Sequence, residues 1–219
     1  MKKIIINVLN MLLIVTCLVG LVIIGGLKRI ASVSTVVVPF MAVSYVLIIF
    51  LLLVCNITKI PNAIEIIVRA AFDPSAITGG AVGSMFVAMQ MGIARGIFSN
   101  EAGLGSAPIA AAAAKTNEPA RQGLVCMTGT FIDTIVICTM TGLAIVVTGA
   151  WEPSLNLKGV NITIEAFNRG FSFMGSFSKE FSGLFLMTAL SFFAFTTILG
   201  WNYYSEKCLE YLVGSKRPI

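Results

Sequence analysis

Long apolar segments that carry almost no charge constrain this chain more than any other feature of its sequence. The run 4–26 contains no charged residue, and comparable runs follow at 36–56, 123–147 and 181–204. About 20 apolar residues suffice for a helix that crosses a bilayer. In hydrocarbon the backbone must satisfy its own hydrogen bonds, which favours helices. We therefore predict an all-α, polytopic membrane protein.

Composition supports this prediction and excludes several classes of site. The chain is 57% hydrophobic and 11% charged, against roughly 45–50% and 25% in soluble domains. It has no histidine, which excludes imidazole metal sites and serine–histidine triads, and none of its five cysteines forms a CxxC pair. The net charge of +5 fits basic loops beside a lipid bilayer, and we expect no nucleic-acid partner.

The amino-terminal segment allows two readings. Met1, Lys2 and Lys3 before an apolar run resemble a signal peptide. The run is longer than the roughly 7–15 residues of a signal core. We favour a spanning helix over 4–26 and keep a cleaved signal as the alternative.

The region 79–114 is too long for one straight crossing. A continuous helix would measure about 54 Å at about 1.5 Å per residue, whereas the hydrocarbon core is about 30 Å thick. Its centre is rich in residues that interrupt helices: Gly92, Gly96, Gly103, Gly105 and Pro108. We predict two half-helices joined by unwound backbone, which survives at membrane depth where it is buried in protein or lines a cavity.

Polar groups between Gly92 and Pro108 suit a zwitterion and a cation. Free N–H groups at helix amino termini favour a carboxylate, and carbonyl ends favour a cation. Glycines allow the backbone to approach a substrate closely. Close helix packing through small residues is the alternative. It does not account for Arg95, Asn100 and Glu101, because charge in hydrocarbon is costly.

Asp133 lies within the run 123–147, where a carboxylate marks a functional or a paired site. One reading is cation coordination or coupling. The reading that we favour is a fixed ion pair with Arg95 across the bundle. Arg95 and Glu101 are six residues apart and do not share a helix face, so Arg95 needs a partner from another span.

Thr197 and Trp201 lie four residues apart late in the last run, which places them on one helical face. Hydroxyl oxygens are hard ligands suited to Na⁺, and the indole could close over a small substrate. The alternative is a pair of threonine hydroxyls bonded back to their own helix, with an interfacial tryptophan. The chain has no Walker loop, which disfavours ATP-driven transport.

The distribution of Lys and Arg predicts the orientation of the spans. Both sides carry basic residues, but the loops between spans are short on the side that holds Lys28, Arg29, Lys115 and Arg121, and charges in short loops orient a protein most strongly. We therefore assign that side to the cytoplasm. The opposite side then holds 152–179 and also 58–72, whose apolar residues recur at helical spacing and predict an amphipathic helix on the membrane surface. Lys2 and Lys3 argue against this orientation.

Several motifs resemble those of one transporter family, the alanine or glycine:cation symporters (sodium:alanine symporters). The resemblance rests on Arg95-Gly-Ile-Phe-Ser-Asn-Glu-Ala-Gly-Leu-Gly-Ser-Ala-Pro108, Phe131-Ile-Asp-Thr134 and Phe195-Thr-Thr-Ile-Leu-Gly-Trp201, in collinear order. It implies symport of alanine or glycine with Na⁺, or sometimes H⁺, across the inner (plasma) membrane, without a bound cofactor. It also implies part of a leucine-transporter-type inverted-repeat bundle with one discontinuous helix.

Two sets of residues are expected at the site. The resemblance implies the substrate set and Thr196, and the charges of the other cation residues within apolar runs add them to the second set. The expected substrate-binding residues are Ser99, Asn100, Gly103, Gly105, Thr197 and Trp201. The expected residues for cation binding or coupling are Thr196, Asp133, Glu101 and Arg95.

On the family's map the chain begins near the fourth helix and ends after the eighth. The glycine-rich first helix, which supplies the other half of the sites, would lie outside it. We therefore expect a fragment, and the alternative function is a transport-inactive membrane remnant or scaffold. A membrane-embedded enzyme using Glu101 or Asp133 is disfavoured, because no nucleophile–base pair or metal cluster accompanies them.

Overall fold

The computed structural model describes residues 13, 15–72, 81–99, 101, 103–175 and 177–214, which form helices and turns and no strand. The helices are α1 (Gly26–Cys55), α2 (Ile60–Phe72), α3 (Ala81–Ser99), α4 (Ala107–Ala111), α5 (Pro119–Thr130), α6 (Thr139–Thr148), α7 (Val160–Gly170) and α8 (Phe177–Val213). A π-helical segment, Phe131–Cys138, joins α5 to α6. Residues 15–23 are also helical. The all-α prediction is confirmed.

Three stretches of these helices are long and apolar enough to cross a membrane, judged by length and composition. They are Gly26–Cys55, Pro119–Thr148 and Glu180–Val213. Each overlaps one of the predicted runs. The predicted crossing 4–26 lies partly outside the described residues, and the number of five crossings stays a prediction.

The boundary of α1 differs from the expected one. The sequence predicted that one span ends at residue 26 and that the next runs from 36 to 56 with Pro39 near its start, but α1 begins at Gly26 and continues through Pro39. Proline has no N–H to donate to the carbonyl of Thr35. Membrane helices tolerate this loss because neighbouring groups satisfy the freed carbonyl. Lys28 and Arg29 consequently lie in the first turn of α1 instead of a loop.

The chain divides into two compact units, residues 1–44 with 187–219 and residues 45–186. The core of the second unit forms around α7, an amphipathic helix whose Phe167 is fully buried. Phe167 stacks on Tyr45 of α1 and on Phe185 of α8, with ring centroids 6.5 and 6.1 Å apart. The first unit has a smaller core of Val22, Ile30 and Leu199.

The apolar stripe of α2 is divided between two environments. Ala63 is buried, and it packs with Ile60 against the core of the second unit. Ile64 and Val68 are exposed. The helix therefore has a protein-facing side and a separate apolar side, which agrees with the predicted amphipathic pattern.

Asn56 joins the end of α1 to the end of α7. Its Nδ2 donates to the carbonyl oxygens of Leu52 and Gly170, each at 3.0 Å. Its Oδ1 accepts a hydrogen bond from Lys59 Nζ at 3.2 Å. Because Asn56 is buried, these bonds satisfy an amide that would otherwise be costly to desolvate. They hold the two helix ends at very close range.

We expect Gly170→Ala to lower the free energy of unfolding by about 1–3 kcal/mol, the usual cost of overpacking. A Cβ at Gly170 would lie 2.5 Å from Leu52 Cγ and 2.6 Å from Leu52 Cδ1. Leu52 is fully buried in the core, so its side chain can shift only against its packed neighbours. Tryptophan fluorescence during equilibrium unfolding in mixed detergent–SDS micelles measures the change. The matched control is Gly142→Ala in α6, where nothing lies within 4 Å of the added Cβ. Equal stability of the two variants would contradict this close contact.

Candidate functional site

The glycine-rich stretch contains a genuine interruption of the helix. α3 ends at Ser99, and the next helix begins at Ala107. Three residues between them have positive φ, namely Glu101 at 52°, Gly103 at 75° and Gly105 at 80°. The left-handed conformation costs a non-glycine residue roughly 1–2 kcal/mol, and glycine adopts it freely. The backbone therefore cannot continue as a right-handed helix here.

The interruption is shorter than the sequence suggested. α3 continues through Gly92 and Gly96, so the change of direction is confined to the residues after Ser99. α4 has five residues, fewer than the half-helix that was predicted. The predicted substrate residue Asn100 lies outside the described residues.

Ser99 and Asp133 meet at the end of α3, although they are far apart in sequence. The Ser99 hydroxyl donates a hydrogen bond to the Asp133 carboxylate. Asp133 lies in the π-helical segment, a geometry that occurs frequently at functional sites. The Thr139 hydroxyl donates to the Thr134 carbonyl at 3.4 Å in the same widened stretch. A carboxylate and a hydroxyl together present hard oxygen ligands.

The ion pair that we favoured between Arg95 and Asp133 does not form. The ion pairs of the described residues join Glu65 to Arg69, Glu165 to Arg169 and Lys207 to Glu210. Arg95 is exposed one helical turn before Ser99. The prediction considered charges and overlooked that a neutral hydroxyl at the helix end could satisfy the carboxylate. A guanidinium has no acceptor atom, so Arg95 cannot itself be a cation ligand.

Glu101 makes its contact within the interruption. Its Oε2 accepts a hydrogen bond from the Ser106 hydroxyl at 2.7 Å. Ser106 is buried at 7% exposure, and it was not among the residues predicted for the site. Its place two residues before Pro108 was the available signal, because serine often precedes a helix.

Thr196, Thr197 and Trp201 lie on α8, in the other unit. The Thr197 hydroxyl donates to the carbonyl of Phe193 at 2.8 Å, and that of Thr196 also donates within its own helix. Trp201 is half-exposed, and its ring meets that of Tyr204 edge to face. Both threonine hydroxyls thus donate to carbonyls of their own helix, as in the predicted alternative. Each hydroxyl oxygen still has lone pairs that could bind a cation.

Comparison with known proteins shows to which family the chain belongs. The sequence model described as the sodium:alanine symporter family matches residues 2–219. The chain belongs to this family. The resemblance found in its motifs is thereby confirmed, and so is the expectation that it is not an enzyme, because the sodium:alanine symporters are transporters.

Relatives in the sodium:alanine symporter family are similar in sequence to this chain over nearly all of its length. An "Uncharacterized transporter" of Haemophilus influenzae is 55% identical over 95% of this chain and 44% of its own length. The "Sodium/alanine symporter AgcS" of Methanococcus maripaludis is 48% identical over 89% of this chain and 41% of its own length. The "Amino-acid carrier protein AlsT" of Bacillus subtilis is 36% identical over 96% and 43%, respectively. The chain thus spans less than half the length of these relatives.

Proposed function

We propose that this chain contributes to secondary active symport of a small neutral amino acid, alanine or glycine, driven by Na⁺ or H⁺. The observation that carries the proposal is the hydrogen bond between Ser99 and Asp133 at the interrupted end of α3. Membership of the sodium:alanine symporter family supports it. A relative named as a sodium/alanine symporter favours alanine and Na⁺.

Oxygen atoms at this position suit a small hard cation. The last carbonyls of a helix lack intrahelical partners and carry the negative end of its dipole. Ser99 is the last residue of α3, so its hydroxyl lies at that negative end. The Asp133 carboxylate adds a full negative charge beside it. In this proposal Asp133 is a ligand of the coupling cation, as predicted. Ser99, which the resemblance assigned to the substrate, is instead a second cation ligand because of its bond to Asp133.

The substrate would bind beside this cation at the unwound backbone. Gly103 and Gly105 have no side chains to keep a small zwitterion away from their N–H groups. Asn100 would contribute an amide on the same segment. Thr197 and Trp201 would also contribute to substrate binding, and Thr196 to cation binding. Arg95, one turn before Ser99, would influence coupling through its charge.

The proposal includes a membrane architecture. The chain would cross the plasma membrane five times, at 4–26, 36–56, 79–114 with its interruption, 123–147 and 181–204. It would form part of a leucine-transporter-type inverted repeat. Alternating access would then expose one site to each side in turn, with cation and substrate moving together.

Uptake of labelled alanine tests this function. Cells that lack their own alanine carriers and express the protein should accumulate alanine when Na⁺ or H⁺ is supplied as an inward gradient. Equimolar K⁺ in place of Na⁺, at fixed pH, separates the two ions, and excess glycine should compete with the label. Accumulation independent of both gradients would overturn symport. Correctly inserted protein without uptake would favour the transport-inactive scaffold.

A further inference from the structure

The residue at position 101 is unusual for its backbone conformation. Glu101, Gly103 and Gly105 all have positive φ within five residues. Glycine adopts this region freely, and among other residues Asn and Asp occur there more often than Glu. Backbone geometry alone would therefore favour a third glycine at position 101. The strain points to a role for the side chain, since strained residues gather at functional segments.

The contacts of Glu101 show what that side chain does. Its carboxylate accepts a hydrogen bond from the hydroxyl of Ser106, the residue immediately before α4. Its own N–H donates to the carbonyl of Phe98 in the last turn of α3, at 3.3 Å. Its carbonyl accepts from the N–H of Leu104, also at 3.3 Å. Glu101 therefore has bonds to the end of one helix, to the turn and to the start of the next helix.

Because Ser106 is buried, loss of its hydrogen bond to Glu101 should be costly in free energy. Ser106 is 7% exposed, whereas the neighbouring Gly103, Leu104 and Gly105 are exposed. A buried hydroxyl that loses its acceptor is left without compensation for its desolvation. Gly103 and Gly105 have no side chains with which to hold the turn. The bond between the Glu101 and Ser106 side chains thus links the turn after α3 to the residue that precedes α4.

We propose that Glu101 is a positioning residue that fixes the separation and direction of α3 and α4. This proposal rests on the proposed symport site, and it replaces the expectation that Glu101 binds the cation. In this role Glu101 acts through the backbone of residues 103–106, while Ser99 and Asp133 contact the cation. What matters is the hydrogen-bond acceptor of the side chain, and its negative charge is dispensable.

Three variants separate this role from its rivals. Glu101→Gly relieves the backbone strain and removes the acceptor. Glu101→Gln keeps an acceptor oxygen and removes the charge, and Ser106→Ala removes the donor. We expect alanine uptake to fall at least tenfold in Glu101→Gly and in Ser106→Ala, and no further in the double variant. Uptake in Glu101→Gln should stay within about threefold of the wild type, with unchanged dependence on Na⁺.

Amide hydrogen exchange of the protein in lipid nanodiscs supplies a readout independent of transport. Exchange at Leu104 and Ile109, whose N–H groups donate to the carbonyls of residues 101 and 106, should accelerate at least tenfold in Glu101→Gly and remain near the wild-type rate in Glu101→Gln. If the wild type lacks uptake but shows this pattern, the proposed function fails and the positioning role stands. Wild-type exchange and uptake in Glu101→Gly would overturn the role. Glu101→Gln behaving like Glu101→Gly would also overturn it, because charge would then be the essential property.

Discussion

Asp133→Asn is expected to raise the Na⁺ concentration that half-saturates alanine uptake by about 10- to 100-fold. The variant keeps the size of the side chain and an acceptor for the Ser99 hydroxyl, but it removes the negative charge. Interactions with a charged partner contribute roughly 1.5–3 kcal/mol, and each 1.4 kcal/mol or so corresponds to a tenfold change in affinity. Initial uptake rates over a range of Na⁺ concentrations at constant ionic strength measure the effect.

Two further variants make the Asp133 result interpretable. Ser99→Ala removes a neutral ligand and should shift the same concentration by about 2- to 10-fold, since neutral hydrogen bonds contribute roughly 0.5–1.5 kcal/mol. Glu118→Gln makes the same chemical change on an exposed residue just before α5 and should leave Na⁺ dependence unaltered. If Asp133→Asn is inserted normally and responds to Na⁺ like the wild type, Asp133 is not a cation ligand.

Gly103→Leu is expected to abolish coupled uptake. Gly103 has φ of 75°, so leucine at this position is strained by about 1–2 kcal/mol. Strain of this size changes the population of a conformation roughly 5- to 30-fold. The leucine side chain also occupies the space through which the backbone would approach the substrate. Transport assays combined with quantification of the protein in the membrane measure the loss per molecule.

Two control variants separate the effect of backbone strain at position 103 from the effect of a large side chain. Gly103→Asn should retain more uptake than Gly103→Leu, because asparagine tolerates the left-handed region better. Gly123→Leu adds the same bulk in α5, at a position with right-handed helical geometry and nothing within 4 Å of a Cβ. It should transport like the wild type. Normal uptake by Gly103→Leu would exclude the glycine-rich turn from the substrate site.

The helical class was predictable from the sequence, because long uncharged runs leave the backbone few alternatives in lipid. The exact ends of the helices were not predictable in the same way. Gly92 and Gly96 lowered the expected helix propensity, yet α3 continues through both. Pro39 was expected near the start of a helix beginning at residue 36, but it lies well inside α1, which begins at Gly26. In these cases helical backbone bonding outweighs single-residue preferences.

The candidate site was predictable as a segment but not as a set of contacts. Composition alone marked the glycine-rich stretch and the carboxylate of Asp133. The partner of Asp133 depends on which side chain ends α3, and that end depends on where the turn begins. Opposite charge favoured Arg95 as the partner of Asp133, whereas in the structure the Ser99 hydroxyl donates to the Asp133 carboxylate. Ser106 bonds to Glu101, and no pattern in the sequence signals the positive φ that Glu101 adopts in this turn.

The π-helical segment Phe131–Cys138 shifts the register of the long helix that contains it. Each residue of an α-helix turns the chain by about 100°, so accommodating even one surplus residue rotates everything downstream by a comparable angle. With this register Asp133 accepts a hydrogen bond from Ser99 at the end of α3. Two turns later, the Thr141 hydroxyl forms a hydrogen bond with the hydroxyl of Tyr45 at 3.1 Å. The number of residues between these positions is therefore as constrained as their identity. Homologous chains should tolerate substitutions within the segment far better than insertions or deletions.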